Sequence, residues 1–237
     1  METQRKKGKK MADWNTLFYD QKNIELAPEP EVVKFIELLA TEFPNVRKRR
    51  VWDLGCGGGR HSVVIGKMGC KVFISDNSSK AIELTTKKLE ENNIDYLEAL
   101  TSMENYPWSK KEFLHGVFSW AVLQHNTLDK ITEAIDCIHD SLLAGGYFLG
   151  TIKSTKADLY GKGEEIEKDT FVLEVGIEEG VPHHYFDEDG IKQLFPSDKW
   201  EIIILAEQVV NYIEKAEEFW SFNPFRYTTW CVLAKKR

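Results

Sequence analysis

Residues 51–61 read Val51-Trp52-Asp53-Leu54-Gly55-Cys56-Gly57-Gly58-Gly59-Arg60-His61. A short apolar stretch of the kind that forms a buried strand ends in this glycine-rich loop, and a helical pattern follows. Glycines at such a junction allow a tight turn and a close approach of a ligand to the backbone, because they have no Cβ atom. The stretch therefore predicts a ligand-binding loop between the first strand and the next helix of a βαβ unit, a feature that several classes of nucleotide-binding proteins share.

Strand and helix patterns alternate along the chain around this loop. Apolar segments typical of strands lie at residues 51–54, 71–75, 96–100, 116–123 and 147–152. Amphipathic patterns between them predict helices, of which the clearest begins at Thr127 and ends at Gly145. Strands separated by helices of this length predict an α/β fold, with a doubly wound, mainly parallel sheet and its ligand at the carboxyl ends of the strands.

The two ends of the chain depart from this alternation. Helical patterns precede the first strand, one within residues 11–22 and one starting near Pro28. Near the other end, the sequence predicts a helix at residues 187–195 and strands at 200–207 and 228–234. Two final strands without a long helix between them predict an antiparallel hairpin at the edge of the sheet.

Length and composition limit the domain organisation. The 237 residues, 42% of them hydrophobic, predict a single domain over residues 11–237, preceded by a disordered basic tail at residues 1–10. Residues 154–186 are expected to form a lid or insert, because residues 154–182 are acidic and lack clear periodicity. No apolar run approaches the ~20 residues of a membrane span. The four cysteines lack the spacing of metal or redox sites, which favours reduced thiols and the cytoplasm.

Three charged residues narrow the choice of ligand for the glycine loop. Asp53 stands two residues before the first glycine, where a carboxylate would repel a pyrophosphate and favours a cationic ligand. Arg60 occupies the third glycine position of dinucleotide-binding loops. Asp76, at the end of the second predicted strand, is placed to accept both hydroxyls of an adenosine ribose. A ligand with an adenosine, a cation and no phosphate is S-adenosylmethionine (SAM).

With these features the chain resembles the class I SAM-dependent methyltransferases. The resemblance implies a seven-stranded sheet of order 3-2-1-4-5-7-6, with the last strand antiparallel and helices on both faces. Two positions depart from that family's pattern: Ser102 stands where an acid that holds the adenine is expected, and Ala144 replaces a proline. The stretches that carry the resemblance, in the family's order, are residues 53–59, 74–78, 117–125 and 142–147.

The loop chemistry and the resemblance together imply a set of cofactor-binding residues. Two aromatic residues near the N-terminus, Trp14 and Tyr19, belong to it because an aromatic face beside a sulfonium makes a cation–π contact, with core packing as the alternative. Met103 would offer its backbone to the adenine. The full set is Trp14, Tyr19, Asp53, Gly55, Cys56, Gly57, Gly59, Asp76, Asn77, Ser102, Met103, Trp120 and Gln124.

Three histidines are the candidate catalytic residues. His125 follows the fourth strand, and His183 and His184 lie in the predicted lid. A neutral histidine accepts a proton near pH 7, so each is a candidate general base. The alternatives are that His125 only packs beside the cofactor and that His183 and His184 form an exposed loop pair. Adjacent histidines cannot easily share one metal ion, so no metal site is predicted from them with Asp187 and Glu188.

The resemblance extends to small-molecule methyltransferases, including the tellurite- and thiopurine-type relatives. It implies SAM-dependent methyl transfer to a small-molecule acceptor; the alternatives are another SAM-using transferase and a non-catalytic SAM-binding partner protein. The net charge of −7, and ten acids against one lysine between Glu164 and Asp189, argue against a nucleic-acid partner. No membrane association is expected, and the oligomeric state stays open.

Overall fold

The structure is a computed structural model that describes residues 14–17, 27–174, 178–211 and 226–237. Two predicted features, the basic tail at residues 1–10 and the cofactor contact Tyr19, lie outside these residues. In the described part, helices and strands follow the predicted order, and the differences concern the ends of elements and the insert.

Seven strands form the main sheet: β1 (Arg50–Leu54), β2 (Lys71–Asp76), β3 (Tyr96–Leu100), β4 (Leu114–Ser119), β5 (Leu142–Lys153), β9 (Trp200–Asn211) and β10 (Arg226–Lys236). Their spatial order is β3-β2-β1-β4-β5-β10-β9. Strand β10 runs antiparallel to both β5 and β9, whereas the pairs among β1 to β5 are parallel. Numbered within this sheet alone, the order is 3-2-1-4-5-7-6, which confirms the prediction.

Helices cover both faces of this sheet, as predicted. Neighbouring residues of a strand point to opposite faces. Val51 of β1 belongs to the apolar cluster that contains Phe35, and the adjacent Trp52 belongs to the cluster that contains Ile135. The helices of the described part are α1 (Trp14–Leu17), α2 (Pro30–Glu42), α3 (Arg60–Lys67), α4 (Ser79–Glu91), α5 (Leu128–Ser141) and α6 (Glu188–Leu194).

The insert contains a small second sheet that the sequence patterns do not predict. Strands β6 (Glu164–Glu167), β7 (Thr170–Val172) and β8 (Pro182–His184) pair antiparallel in chain order. They are three or four residues long, too short for a period to be recognised among so many acids. Phe171, Tyr185 and Ala157 are buried together in an apolar cluster that is separate from the two clusters of the main sheet. A bridge between Ser154 and Phe186 joins this unit to the end of β5.

Two further predictions concern membranes and thiols. None of the described helices combines the length and the apolar character that crossing a bilayer requires. All four cysteines are free thiols; Cys56, Cys70 and Cys231 are buried, and Cys137 is partly exposed.

Candidate functional site

The glycine loop joins β1 to α3 and is anchored to the neighbouring strand β2. Gly55 N and Cys56 N both donate to Ser75 O, at 2.8 and 3.1 Å. Gly55 has φ of +72°, and a Cβ atom there would lie 2.3 Å from Val122 Cγ2. Gly57 has φ of +52°, and a Cβ atom there would meet nothing within 4 Å. The loop is therefore packed tightly at Gly55 and open at Gly57, where a ligand can approach the backbone.

A cavity of about 280 Å³ lies at the carboxyl ends of β1, β2 and β4. This is the position that the fold class predicts for the ligand. Its walls come from the glycine loop, the ends of these strands, α1 and the insert. The lining is Trp14, Leu54, Gly55, Cys56, Gly57, Gly58, Arg60, His61, Asp76, Asn77, Thr101, Ser102, Met103, Glu104, Trp120, Ala121, Val122, His125, Asn126, Glu178 and Tyr227.

Asp76 lies at the end of β2 and lines the cavity next to the loop. Gly57 N donates to its Oδ2 at 3.0 Å, and Ser78 N donates to its Oδ1 at 2.9 Å. Burial raises the pKa of Asp76, and the hydrogen bonds from the backbone act in the opposite direction. Each carboxylate oxygen keeps a further lone pair, so the group can still accept hydrogen bonds from the two hydroxyls of a ribose.

Asp53 is 1% exposed and does not reach the cavity. Its Oδ2 accepts a hydrogen bond from Ser62 Oγ on α3. Burial raises the pKa of Asp53 to about 7, with the charge of Asp76 adding to the effect and the bond from Ser62 opposing it. The carboxyl group of Asp53 therefore stabilises the loop from the side opposite the cavity. Because Asp53 does not line the cavity, it makes no direct contact through which it could favour a cationic ligand, contrary to the prediction.

The other predicted cofactor residues divide into two groups. Gly59 and Gln124 do not line the cavity. Gln124 is 1% exposed, and its Nε2 donates to Tyr227 Oη at 3.2 Å. The predicted residues that line the cavity are Trp14, Gly55, Cys56, Gly57, Asp76, Asn77, Ser102, Met103 and Trp120.

Helix α1 is held across the cavity mouth by a side chain. Asn15 Oδ1 accepts hydrogen bonds from Ser78 Oγ at 2.9 Å and from Lys80 N at 3.3 Å, at the start of α4. This anchor brings the ring of Trp14 to 5.0 Å from the ring of His125. Trp14 therefore faces the histidine end of the cavity.

His125, Glu178 and His183 form a cluster opposite the glycine loop. Glu178 Oε1 lies 3.4 Å from His125 Nε2, and Glu178 Oε2 lies 2.7 Å from His183 Nε2. His125 and Glu178 line the cavity, and His183 is fully buried behind them. Burial lowers the pKa of His125 and lowers that of His183 to about 4. Both imidazoles are therefore neutral at pH 7 and have lone pairs to offer.

Lys153, at the end of β5, sits beside this cluster. Its Nζ lies 3.6 Å from Glu178 Oε2, and the side chain is 2% exposed. Burial lowers the pKa of Lys153, and the nearby carboxylate of Glu178 acts to raise it. The lysine thus supplies the positive charge that the partly buried carboxylate of Glu178 needs.

His184 faces away from the cavity, because alternate residues of a strand point to opposite sides. Its Nδ1 lies 2.6 Å from Thr170 Oγ1, and its ring packs 4.4 Å from the ring of Phe186. The structure therefore brings His125 and His183 together and leaves His184 within the small sheet.

Sequence reasoning missed Glu178 and Lys153. Glu178 is one of ten acids in the insert and its neighbourhood, and nothing in the sequence distinguishes it from its exposed neighbours. Lys153 ends a strand, where lysine is ordinarily exposed. The one available signal was the spacing of Glu178 five residues before His183, which allows both to meet within one turn of the insert.

Comparison with known proteins agrees with this geometry. Residues 51–146 match the model of a methyltransferase domain. The ribosomal protein L11 methyltransferase of Lachnospira eligens is 31% identical over 126 residues, which cover 49% of this chain and 39% of that protein. The chain thus matches well under half the length of this curated relative.

Three solved structures share the fold over most of the chain. The TehB protein of Haemophilus influenzae superposes with a TM-score of 0.65 at 18% identity, over 93% of this chain and 67% of that one. A SAM-dependent methyltransferase of Methanosarcina mazei gives 0.67 at 16%, over 89% and 99%. The 1,6-didemethyltoxoflavin-N1-methyltransferase of Burkholderia thailandensis, solved with 1,6-didemethyltoxoflavin and S-adenosylhomocysteine, gives 0.60 at 14%, over 88% and 79%.

The sheet order, the glycine loop and the acid that ends β2 are the features in which the chain resembles the class I SAM-dependent methyltransferases, and the three solved structures share this fold. The family match itself is confined to residues 51–146, which match a methyltransferase domain. The cavity next to Gly57 and Asp76 lies where the predicted cofactor, S-adenosylmethionine, would bind, and it offers an open stretch of loop and a carboxylate.

Proposed function

We propose that the protein transfers the methyl group of SAM to a small-molecule acceptor. The observation that carries this proposal is that one cavity joins the glycine loop and Asp76 at one end to His125 and Glu178 at the other. When bound, the cofactor supplies an electrophilic methyl group on a sulfonium. Methyl transfer depends chiefly on holding a nucleophile in line with that methyl group, and such positioning needs a small, enclosed site.

The residues of the cavity have distinct proposed roles. Asp76 and the backbone of Gly57 hold the ribose and the adjoining part of the cofactor, and residues 101–104 contact the adenine. Trp14 and Trp120 exclude water. His125, paired with Glu178, accepts the proton of an acceptor hydroxyl, amine or thiol, since its ring is neutral at pH 7. His183 positions Glu178.

The proposed acceptor is small and is not a nucleic acid. The insert that borders the histidine end carries an excess of acids, so its field repels a polyanion. The likeness to the toxoflavin methyltransferase supports a small-molecule acceptor. We further propose that residues 11–237 form one domain with an insert at 154–186, and that the protein works in the cytoplasm.

The test is incubation with SAM labelled in its methyl group and a cell extract that has been divided into metabolites, proteins, and RNA with DNA. We expect label in the metabolite fraction and S-adenosylhomocysteine as the coproduct. Asp76→Ala should strongly reduce the transfer at SAM concentrations that do not saturate the variant, whereas Asp95→Ala, a change at an exposed residue paired with Lys48, should retain it.

Each other outcome contradicts the proposal in a different way. Label in the protein fraction would point to a protein acceptor, in line with the L11 methyltransferase relative, and label in RNA would overturn the argument from charge. Methylthioadenosine in place of S-adenosylhomocysteine would indicate a different SAM-using transferase. Tight SAM binding without any transfer to the three fractions would indicate a non-catalytic partner protein.

A further inference from the structure

Both ring nitrogens of His183 face an oxygen. Nδ1 lies 3.0 Å from Val181 O, and Nε2 lies 2.7 Å from Glu178 Oε2. The contact with the backbone carbonyl fixes the orientation of the ring, so that Nε2 points to Glu178.

The arrangement around Glu178 matches what a cation needs. One ring nitrogen each of His125 and His183 and one carboxylate oxygen of Glu178 lie within 4.8 Å of one another. Two ligand atoms that are each ~2.1 Å from an ion lie about 3 Å apart when they bind at right angles. The distances here are of that size: His183 Nε2 lies 2.7 Å from Glu178 Oε2, and His125 Nε2 lies 3.4 Å from Glu178 Oε1. The bond between His183 Nδ1 and a backbone carbonyl is also the outer contact that fixes a metal-binding histidine.

We propose that His125, Glu178 and His183 bind a divalent transition-metal ion at the acceptor end of the cavity. Two imidazole nitrogens and one carboxylate oxygen suit Zn²⁺, Mn²⁺, Fe²⁺ or Co²⁺, and suit Mg²⁺ and Ca²⁺ less well, because these hard cations favour oxygen ligands. Three protein ligands leave coordination positions open, as in metal sites that bind a substrate. Because His125 and Glu178 line the cavity, the open positions face the space that an acceptor would occupy.

Lys153 gives this site an unusual charge. With the ion bound, the cluster combines two positive charges of the metal, one negative charge of Glu178 and the ammonium of Lys153, whose Nζ is 3.6 Å from Glu178 Oε2. The surplus is positive and lies in a largely buried place, which is costly without an anion. Resting on the proposed function, we infer that the acceptor enters with an anionic oxygen or an acidic hydroxyl that binds the metal. The metal then lowers the pKa of that hydroxyl, and His125 acts as a metal ligand in place of accepting the proton.

The same charge makes two variants change metal affinity in opposite directions. Glu178→Gln removes a ligand and its negative charge, so we expect metal affinity to fall by at least about tenfold, and His183→Gln should do the same. Lys153→Met removes an ammonium that repels the ion and leaves all three ligands in place, so the metal should bind more tightly. His139→Gln is the matched control, since His139 packs against Trp200 outside the cluster.

The experiment titrates the chelator-treated full chain with Co²⁺, followed by visible absorption, and with Zn²⁺, followed by calorimetry. We expect one saturable site, weakened in Glu178→Gln and His183→Gln, strengthened in Lys153→Met and unchanged in His139→Gln. No saturable binding, or equal binding in the wild type and the two ligand variants, would overturn the proposal. As a check that needs no variant, Mn²⁺ should broaden the ring resonances of His125 and His183 before those of His139, and uniform broadening would overturn it.

These measurements need no acceptor, so they separate this inference from the proposed function. Metal binding without methyl transfer to the metabolite fraction would support the metal site and refute the proposed function. Methyl transfer that persists in the chelator-treated protein, together with absence of a saturable site, would do the reverse.

Discussion

Lys153 Nζ and Glu178 Oε2 lie 3.6 Å apart at the acceptor end of the cavity, with the lysine side chain 2% exposed and the glutamate side chain 21% exposed. The ammonium also lies 5.4 Å from the ring centre of Tyr227 and 5.8 Å from that of Tyr185. Burial disfavours the charge of Glu178, but Lys153 and His125 hold the pKa of that carboxyl well below its usual range. An ion pair thus connects Glu178 of the insert to Lys153 of β5, and each of the two charges is stabilised by the other.

The first prediction concerns the stability of this pair. Glu178→Gln leaves the ammonium of Lys153 buried without its counter-charge, so we expect the free energy of unfolding to fall by about 3–5 kcal/mol. The double variant Glu178→Gln/Lys153→Met should recover most of that loss, because no unpaired charge remains. Urea denaturation of the wild type, both single variants and the double variant measures the coupling.

A matched control comes from a pair on the surface. Lys111 Nζ lies 2.7 Å from Asp140 Oδ2, but the side chains are 66% and 49% exposed. Lys111→Met should therefore lower the free energy of unfolding far less than Glu178→Gln does. If the buried and the exposed pair gave equal losses, the buried pair would not connect the insert to the sheet.

The second prediction concerns Asp76 and the cofactor. Removing its carboxylate takes away charge-assisted hydrogen bonds worth roughly 1.5–3 kcal/mol, so Asp76→Ala should weaken SAM binding by about one to two decades. Calorimetry with SAM and with S-adenosylhomocysteine measures the change. Asp95→Ala should bind SAM as the wild type does. Unchanged affinity in a folded Asp76→Ala protein would refute the role of this residue.

The third prediction compares two glycines of the same loop. Gly57→Ala imposes left-handed backbone strain alone, about 1–2 kcal/mol, because a Cβ atom there meets nothing within 4 Å. Gly55→Ala adds a clash with Val122, whose Cγ2 would lie 2.3 Å from the new Cβ. Overpacking of this kind costs a further ~1–3 kcal/mol. Thermal and urea unfolding should rank Gly55→Ala well below Gly57→Ala, which keeps its fold but loses SAM affinity. The reverse ranking would show that strain, and not packing, dominates the loop.

The fourth prediction is a pH dependence that arises from Asp53. Burial raises the pKa of Asp53 from 3.8 to about 7, so between these values the folded protein holds a proton that the unfolded chain has lost. The folded state binds more protons in this window, and its stability contribution from Asp53 therefore falls as the pH rises through it. In Asp53→Asn, whose amide oxygen can still accept the bond from Ser62, this dependence should vanish.

The measurement is the free energy of unfolding of the wild type minus that of Asp53→Asn. This difference should decrease from about pH 4 to about pH 7 and then level off. The buried histidines His61 and His183 titrate with the opposite sign, but they are present in both proteins and cancel in the difference. A difference that stays flat across the window would contradict a raised pKa for Asp53.

The fifth prediction is that residues 154–182 and the N-terminal helix form a mobile cover over the cavity. The small sheet is held by a modest apolar cluster around Phe171 and Tyr185 and by the Lys153–Glu178 pair, and α1 is held through Asn15. Both therefore have fewer buried apolar contacts than the core and should open more readily. Amide hydrogen exchange should be fast there in the cofactor-free protein and slow once cofactor and acceptor are bound, while β4 exchanges slowly in both states. Slow exchange of the insert without ligands would identify it as a fixed structural element.

Much of the fold was predictable because local patterns and the sheet agree. β3 at Tyr96–Leu100 has the predicted bounds, and α4 begins after Ser78, whose side chain accepts from Ala81 N as a capping residue should. The small sheet of the insert was not predictable. Its strands are stabilised by pairing with one another and by the burial of Phe171 and Tyr185. These are tertiary effects, which do not produce a recognisable pattern of apolar residues in such short strands.

By itself, the sequence determined the alternation of strands and helices, the glycine loop and the acid at the end of β2, and from these it predicted the class of protein and its cofactor. These features depend on the spacing of residues within the chain. Gly55 and Asp76, for example, have their roles because of their positions in the motif. Only the tertiary structure decided the other end of the cavity. In the structure His183 faces the cluster at the cavity and His184 faces the opposite side, and Asp53 is buried behind the loop. Lys153, at the end of β5, contacts Glu178 of the insert. Burial and long-range contacts distinguish Glu178 from the other acids of the insert and Lys153 from the other lysines. Neither burial nor a long-range contact can be recognised from the local sequence.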